Sequence, residues 1–147
     1  MPEIQPEILM VEDNPNDAEL SLLALKKAGI NNVVKIVKDG AEALEFLFSE
    51  GKYAGKQLQL QLKVVFLDLK MPKISGFQVL ERVRTSSQFD SLPVVILSSS
   101  NVESDIVKAY KLGANSFIVK PIDYSKHAAA LSGAAHYWVK INQTLLS

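Results

Sequence analysis

At residues 64–72 the chain reads VVFLDLKMP, a run of four apolar residues that stops abruptly at Asp68. A short run that is apolar at every position is typical of a strand buried on both faces of a parallel sheet. A loop with Pro72 and Gly76 follows and leads to a helical pattern over residues 77–83. The segment therefore predicts one β/α unit with an acidic side chain at the carboxyl end of its strand.

The same alternation runs through the rest of the chain. Apolar runs predict strands at residues 8–11, 33–37, 94–97 and 117–119. Helical patterns follow at 15–28, 40–48, 102–112 and from Asp123 to about Ile141, and the first of them has Ala18, Leu22 and Leu25 on its predicted inner face. Asn14 and Asp123 are suitable N-caps, and Pro15 suits a first helical position. Five strands that alternate with five helices indicate an α/β domain with a doubly wound parallel sheet.

Residues 50–63 interrupt the alternation with Gly, Gln and Lys. We interpret this segment as an extended loop, although residues 57–62 alternate and could lengthen the third strand.

Size and composition narrow the classes of function. The 147 residues predict one domain over the whole chain, and 16 basic residues balance 16 acidic ones, so no global positive field would attract nucleic acid. The absence of cysteine excludes disulfides and cysteine–zinc sites. No apolar stretch approaches the roughly 20 residues of a membrane span, so we expect a cytoplasmic protein.

Polar residues follow four of the predicted strands. They are Glu12 and Asp13, Asp68, Ser98 and Lys120. Ligands of open parallel sheets bind at the carboxyl ends of the strands, so these side chains should converge. Three neighbouring carboxylates repel one another unless a cation joins them, and oxygen ligation with water suits Mg²⁺. A lysine and a hydroxyl beside them suit phosphate.

Each residue also has a purely structural interpretation. Glu12 and Asp13 could be helix-capping acids in a solvated turn, Asp68 a simple strand-end cap, Lys120 a surface lysine, and residues 98–100 a polar loop. His127 and His136 are interpreted as surface or packing residues, because both lie on the last predicted helix and far in sequence from the acids.

Four segments together resemble the response-regulator receiver family, which is CheY-like. They are residues 8–14 (ILMVEDN), 65–76 (VFLDLKMPKISG), 98–100 (SSS) and 119–121 (VKP), and the resemblance extends from about Glu7 to about Tyr137. It implies a flavodoxin-like fold with strand order 2-1-3-4-5.

The resemblance also implies roles for the acidic residues. Asp68 matches the phosphoacceptor, whose carboxylate takes a phosphoryl group from a phosphohistidine of a sensor histidine kinase. Asp13 and Asp68 match direct Mg²⁺ ligands, and the backbone carbonyl of Lys70 matches a third. Glu12 matches the acidic position that reaches the metal through water.

Other residues match the parts that bind the phosphoryl group and respond to it. Ser98 matches the hydroxyl that hydrogen-bonds the group and moves toward it on activation, and Lys120 matches the lysine that pairs with it. Phe117 matches the switch aromatic, and Lys120–Pro121 matches a cis peptide. Lys70 and Ser100 match positions that flank the attacking water, which leaves the phosphoaspartate lifetime open.

Two other classes of protein are alternatives. A Mg²⁺-dependent hydrolase with an aspartyl-phosphate intermediate, of the haloacid-dehalogenase kind, needs a second acid two residues after its nucleophile, where this chain has Lys70. A receiver-like interaction module that works without phosphate would not need the complete acidic, hydroxyl and lysine set.

A narrower resemblance concerns the partners. The sequence EDNPNDA at residues 12–18, the loop before the third strand and the aromatic last helix are similar to cyanobacterial phytochrome response regulators, which implies a light-sensing histidine kinase as donor. The output would pass through protein contacts. Residues 138–147 are predicted to extend the last helix, and their apolar residues, Leu145 and Leu146 among them, predict a homodimer through the fourth and fifth helices and this tail. Trp138 has a packing role as its alternative.

Overall fold

The fold is a five-stranded parallel sheet with strand order β2-β1-β3-β4-β5. It is seen in a computed structural model that describes residues 5–144. The strands are β1 (Ile8–Val11), β2 (Val34–Val37), β3 (Val64–Leu67), β4 (Val94–Ser98) and β5 (Ser116–Val119). The predicted fold class and strand order are confirmed.

Five α-helices connect and follow the strands. They are α1 (Pro15–Lys27), α2 (Gly40–Phe48), α3 (Gly76–Thr85), α4 (Glu103–Lys111) and α5 (Tyr124–His136). The predicted caps are present: Asn14 accepts hydrogen bonds from the amides of Asn16 and Asp17, and Asp123 accepts one from the amide of Lys126. Among the described residues, no helix is both long and apolar enough to cross a membrane.

The helices bury both faces of the sheet. Leu9, Leu67 and Ile96 face a core shared with α2, α3 and α4. Alternate residues such as Met10 and Phe66 face a second core that includes residues of α1 and α5. Burial on both faces explains why these strands are apolar at every position.

The register of the strands places their carboxyl ends at one edge. Val11 pairs with Leu67, Leu67 pairs with Ile96, and Ser98 pairs with Val119. The residues that follow Val11, Leu67 and Val119 therefore emerge close to one another and to Ser98.

Residues 50–63 form the predicted loop, which contains a short 3₁₀ helix at Gly51–Tyr53. The alternative in which residues 57–62 lengthen the third strand is wrong, because β3 begins at Val64. The predicted inner face of α1 is wrong at one position. Leu22 is 39% exposed, because the buried stripe of α1 passes through Ala18, Ser21 and Leu25 instead.

The C-terminal segment is helical beyond α5, as far as Ile141. A π-helical turn, Tyr137–Ile141, follows α5 directly. Val139 is buried and Trp138 packs beside it against the core of α1 and α5, whereas Tyr137 and Ile141 are 46% and 61% exposed. The predicted contribution of Leu145 and Leu146 concerns positions outside the described residues.

Candidate functional site

Three carboxylates meet at the carboxyl edge of the sheet, as the sequence predicts. Glu12 and Asp13 directly follow β1, and Asp68 directly follows β3. One carboxylate oxygen from each lies within 4.8 Å of the others. Glu12 and Asp68 are 7% and 9% exposed, whereas Asp13 faces solvent. The cluster is therefore a pocket with two buried acids at its base and one acid at its mouth.

Lys120 closes this pocket from the end of β5. Its Nζ lies 2.6 Å from Glu12 Oε1 and 3.4 Å from Asp68 Oδ2, and its side chain is 15% exposed. The backbone amide of Lys120 also donates to the carbonyl of Ser98 at 2.7 Å, which fixes the start of the loop after β5. Residues that are 108 positions apart in sequence thus form one ion-paired group.

Burial dominates the ionisation of the two inner acids. It raises the pKa of Glu12 and of Asp68, and the hydrogen bonds and positive charge of Lys120 offset that rise only in part. Burial alone would lower the pKa of Lys120, but the hydrogen bond to Glu12 and the charges of Asp68 and Glu12 outweigh it and raise that pKa. One ammonium group faces three carboxylates, so the pocket would be stabilised by further positive charge.

Backbone groups orient the remaining carboxylate oxygens. The amide of Asn14 donates to Glu12 Oε2, and the amide of Lys70 donates to Asp68 Oδ1, each at 3.2 Å. The main chain of Lys70 therefore lies beside Asp68 while its side chain is exposed. The carbonyl of Lys70 stays a predicted metal ligand.

Ser98 ends β4 and is completely buried. Its hydroxyl oxygen accepts a hydrogen bond from the amide of Ser100 at 3.2 Å. The hydroxyl of Ser100 in turn donates to Asp105 Oδ2 at 2.7 Å and accepts from the amide of Val102 at 3.3 Å. The sequence predicted Ser98 but not the connection to Asp105, for which an acid in the first turn of α4 is the only local signal.

Phe117 lies on β5, is partly buried, and packs against the core shared with α2, α3 and α4. This is an ordinary position for a strand aromatic, so its switch role stays a prediction. The expected cis peptide at Lys120–Pro121 is wrong for this structure, since no peptide bond among residues 5–144 is cis.

Gly76 allows α3 to begin directly behind Asp68. A Cβ atom at this position would lie 2.2 Å from the carbonyl oxygen of Asp68, and the amide of Gly76 donates to the carbonyl of Leu69 at 2.9 Å. Only glycine permits such an approach between backbones. Gly76 therefore helps to position the central carboxylate without contacting a ligand.

A groove of about 360 Å³ lies beside two of the acids, Glu12 and Asp13. It runs along α1 and β2, where Leu22 and Ile36 line it.

The residues of the pocket fit a hard divalent cation. They offer carboxylate oxygens from three residues, close to the backbone of a fourth, and sulfur and imidazole are not among the clustered ligand atoms in the described part of the chain. Oxygen ligands with room for water at the exposed Asp13 side suit Mg²⁺ or Mn²⁺.

An acid pocket closed by a lysine, at the carboxyl edge of a sheet with this strand order, defines a receiver domain. The family model for the response regulator receiver domain matches residues 8–132, and the chain belongs to this family. Within the family, the chain is similar to phytochrome response regulators and to a probable methanogenesis regulatory protein.

Three relatives illustrate this similarity. The solved structure of the phosphorylated cyanobacterial phytochrome response regulator RcpA has a TM-score of 0.86 and 32% identity, covering 95% of this chain and 97% of that one. The Mn²⁺-bound form of response regulator Rcp1, a Synechocystis protein, has a TM-score of 0.85 and 26% identity, with coverage of 95% and 99%. The probable methanogenesis regulatory protein FilR2 of Methanothrix harundinacea is 32% identical over 93% of this chain and 86% of its own length.

Proposed function

We propose that this receiver domain accepts a phosphoryl group on Asp68 from a phosphohistidine of a sensor histidine kinase, and signals through protein contacts. The observation that carries the proposal is the position of Asp68: it is nearly buried, lies within 3.4 Å of Lys120, and shares a pocket with Glu12 and Asp13. Asp68 follows β3, the central strand of the sheet, and β3 pairs with β4, which ends in Ser98.

The chemistry follows from these groups. A carboxylate oxygen of Asp68 attacks the phosphorus, the phosphorus–nitrogen bond breaks, and the donor imidazole leaves with the electron pair. Such a transfer depends on positioning and on neutralising the phosphoryl oxygens. Lys120 would pair with one of these oxygens, and Ser98 would donate a hydrogen bond to another. The chain would thus catalyse only its own phosphorylation and dephosphorylation.

A divalent cation is part of the proposal. Asp13, Asp68 and the carbonyl of Lys70 would hold Mg²⁺ directly, and Glu12 would reach it through water because Glu12 is already paired with Lys120. When bound, the cation supplies positive charge to the phosphoryl oxygens. The Mn²⁺-bound form of Rcp1 supports a divalent site in this family.

We propose a phytochrome kinase as the donor, because RcpA is a phytochrome response regulator and covers nearly the whole chain. FilR2, a probable methanogenesis regulatory protein, is equally identical in sequence at 32%, so the test of this pairing compares phosphorylation by a phytochrome kinase with phosphorylation by a histidine kinase of another class. The cytoplasmic location expected from the sequence stays a prediction.

The test is incubation with acetyl phosphate and Mg²⁺, followed by intact mass measurement. We expect one added phosphoryl group, which disappears in Asp68→Ala and with EDTA. Asp123→Ala, which removes an acid that only caps α5, is the matched control and should behave as wild type. Rapid multiple turnover of acetyl phosphate would favour the hydrolase class instead, and the absence of any reaction would favour a phosphate-independent module.

We also propose a homodimer through α4, α5 and the π-helical turn. Large apolar side chains are exposed along this surface: Val107 and Tyr110 of α4, Ile122 before α5, Tyr124 of α5, and Ile141 of the turn. Apolar surface of this kind tends to mark an interface. Light scattering after size exclusion, with and without acetyl phosphate, tests it, and a monomer at tens of micromolar under both conditions would contradict it.

A further inference from the structure

The first turn of α4 is held by residues that directly follow the candidate phosphoryl-binding serine. Val102 is the N-cap residue of α4, and its side chain makes no capping hydrogen bond. The hydroxyl of Ser100 instead holds the N-cap residue itself, because it accepts from the amide of Val102 at 3.3 Å. The same hydroxyl donates to Asp105 at 2.7 Å, which fixes it on the helix.

Ser98 is connected to Ser100 through one hydrogen bond. Its hydroxyl oxygen accepts from the amide of Ser100, and in the described part of the chain it makes no hydrogen bond to Asp68. Both serines are buried, at 0% and 5% exposure. If Ser98 turns toward a group on Asp68, the buried amide of Ser100 loses its partner, which is costly unless the loop shifts as well.

The helix at the end of this connection is weakly held. Of the nine residues of α4, only Ala109 is buried. Few buried contacts mean a low local stability, so the two hydrogen bonds of the Ser100 hydroxyl contribute much of what orders the first turn of this helix. A shift of the loop that displaces the hydroxyl of Ser100 would therefore loosen the first turn of α4.

We infer that Ser100 and Asp105 are positioning residues for Ser98, and that their hydrogen bond restrains the receiver in its unphosphorylated state. The inference rests on the proposed function. Breaking this hydrogen bond removes the restraint on Ser98, so the fraction of molecules competent to bind a phosphoryl group rises. The apparent affinity for such a group rises in proportion to that fraction.

The test measures binding of beryllofluoride, a stable substitute for the phosphoryl group, to the full chain with Mg²⁺. We expect Ser100→Ala and Asp105→Ala to bind it about fivefold more tightly than wild type, the equivalent of one ordinary hydrogen bond. Asp105→Asn keeps an oxygen acceptor for the Ser100 hydroxyl and should restore most of the wild-type affinity. Glu103→Gln removes the same charge from the same turn and should leave the affinity unchanged.

Hydrogen exchange at residues 102–106 provides a second measurement. In wild type, beryllofluoride should accelerate exchange in this turn, whereas in Ser100→Ala exchange should already be fast without the ligand. A merely structural role would lower the thermal stability of both alanine variants without raising their affinity. That result, or weaker binding by them, overturns the inference. If wild type itself fails to bind beryllofluoride, the proposed function fails first and the inference with it.

Discussion

Glu42 is a buried acid outside the candidate site, and its contacts allow a quantitative prediction. Its carboxylate accepts hydrogen bonds from Lys52 Nζ at 2.7 Å, the amide of Lys38 at 2.9 Å and the hydroxyl of Tyr53 at 2.9 Å. Burial alone would raise the pKa of Glu42, but these hydrogen bonds and the charge of Lys52 outweigh it and lower that pKa to about 2. The contacts join α2 to the 3₁₀ helix of the following loop.

The stabilisation follows from the difference between the folded and unfolded pKa values. A fall from the ordinary 4.5 to about 2 is worth about 3 kcal/mol at neutral pH. Lys52 is 59% exposed, so screening reduces the measurable effect to about 2 to 3 kcal/mol. Because the folded pKa is lowered, this contribution is complete above the unfolded pKa. It falls to about 1 kcal/mol near pH 3 and is lost as pH passes through the folded value.

Glu42→Gln tests this reasoning, because an amide presents one acceptor oxygen to three donors. Denaturant unfolding from pH 7 to pH 3 should show a destabilisation of about 2 to 3 kcal/mol at pH 7 that shrinks toward the acid end. Glu81→Gln, at an exposed position of α3, is the control and should change the free energy of unfolding little. An equal loss for Glu42→Gln at both pH values would refute the electrostatic explanation and leave only a packing defect.

Three further predictions concern Gly76, Arg84 and Asp13. Gly76→Ala should lower the free energy of unfolding by about 2 kcal/mol or more and slow phosphorylation, since the new Cβ would displace the Asp68 backbone. Unfolding curves measure the first effect and acetyl phosphate kinetics the second. An unchanged rate of phosphorylation would contradict the positioning role of Gly76. Arg84→Lys should lower the free energy of unfolding in urea by about 2 kcal/mol, because a lysine cannot reproduce hydrogen bonds to the carbonyls of Gly113, Phe89 and Leu92 at once. An unchanged free energy of unfolding would show that these contacts are not needed. Mg²⁺ at about 100 times its dissociation constant should stabilise wild type by about 2.7 kcal/mol and should stabilise Asp13→Asn little. Thermal melting measures both changes in stability. Equal stabilisation of the two proteins would exclude Asp13 as a ligand.

The framework of the fold was predictable because it depends on local sequence. Apolar runs predicted the five strands, most clearly β1 and β3, which are apolar at every position, and the side chains of Asn14 and Asp123 indicated where two helices begin. Once the strands were placed, the rule for parallel sheets brought Glu12, Asp68 and Lys120 together without any knowledge of distances.

The remaining features depend on packing between distant segments. The stripe of α1 that faces the sheet differs from the predicted one by a small rotation, and this exposes Leu22. Tyr53 finds Glu42 only because residues 50–63 fold back on α2. The hydrogen bond between Ser100 and Asp105 joins a loop to a helix whose exact start the sequence does not give. Each of these features depends on which distant side chains come into contact, and hydrophobic periodicity does not predict such contacts.

Arg84 makes the C-terminal end of α4 more firmly held than its N-terminal end. Its guanidinium binds the carbonyl of Gly113, just after α4, together with carbonyls of the preceding loop, at the amino edge of the sheet. The opposite end of α4 depends on one serine hydroxyl and one carboxylate. If those two groups lose their contacts, α4 stays held at its C-terminal end alone and can pivot there over its length of roughly 13 Å. A small rearrangement near Asp68 would then rotate α4 about a point near Gly113. The exposed side chains of Val107 and Tyr110 would move with the helix, although the sheet itself stays in place.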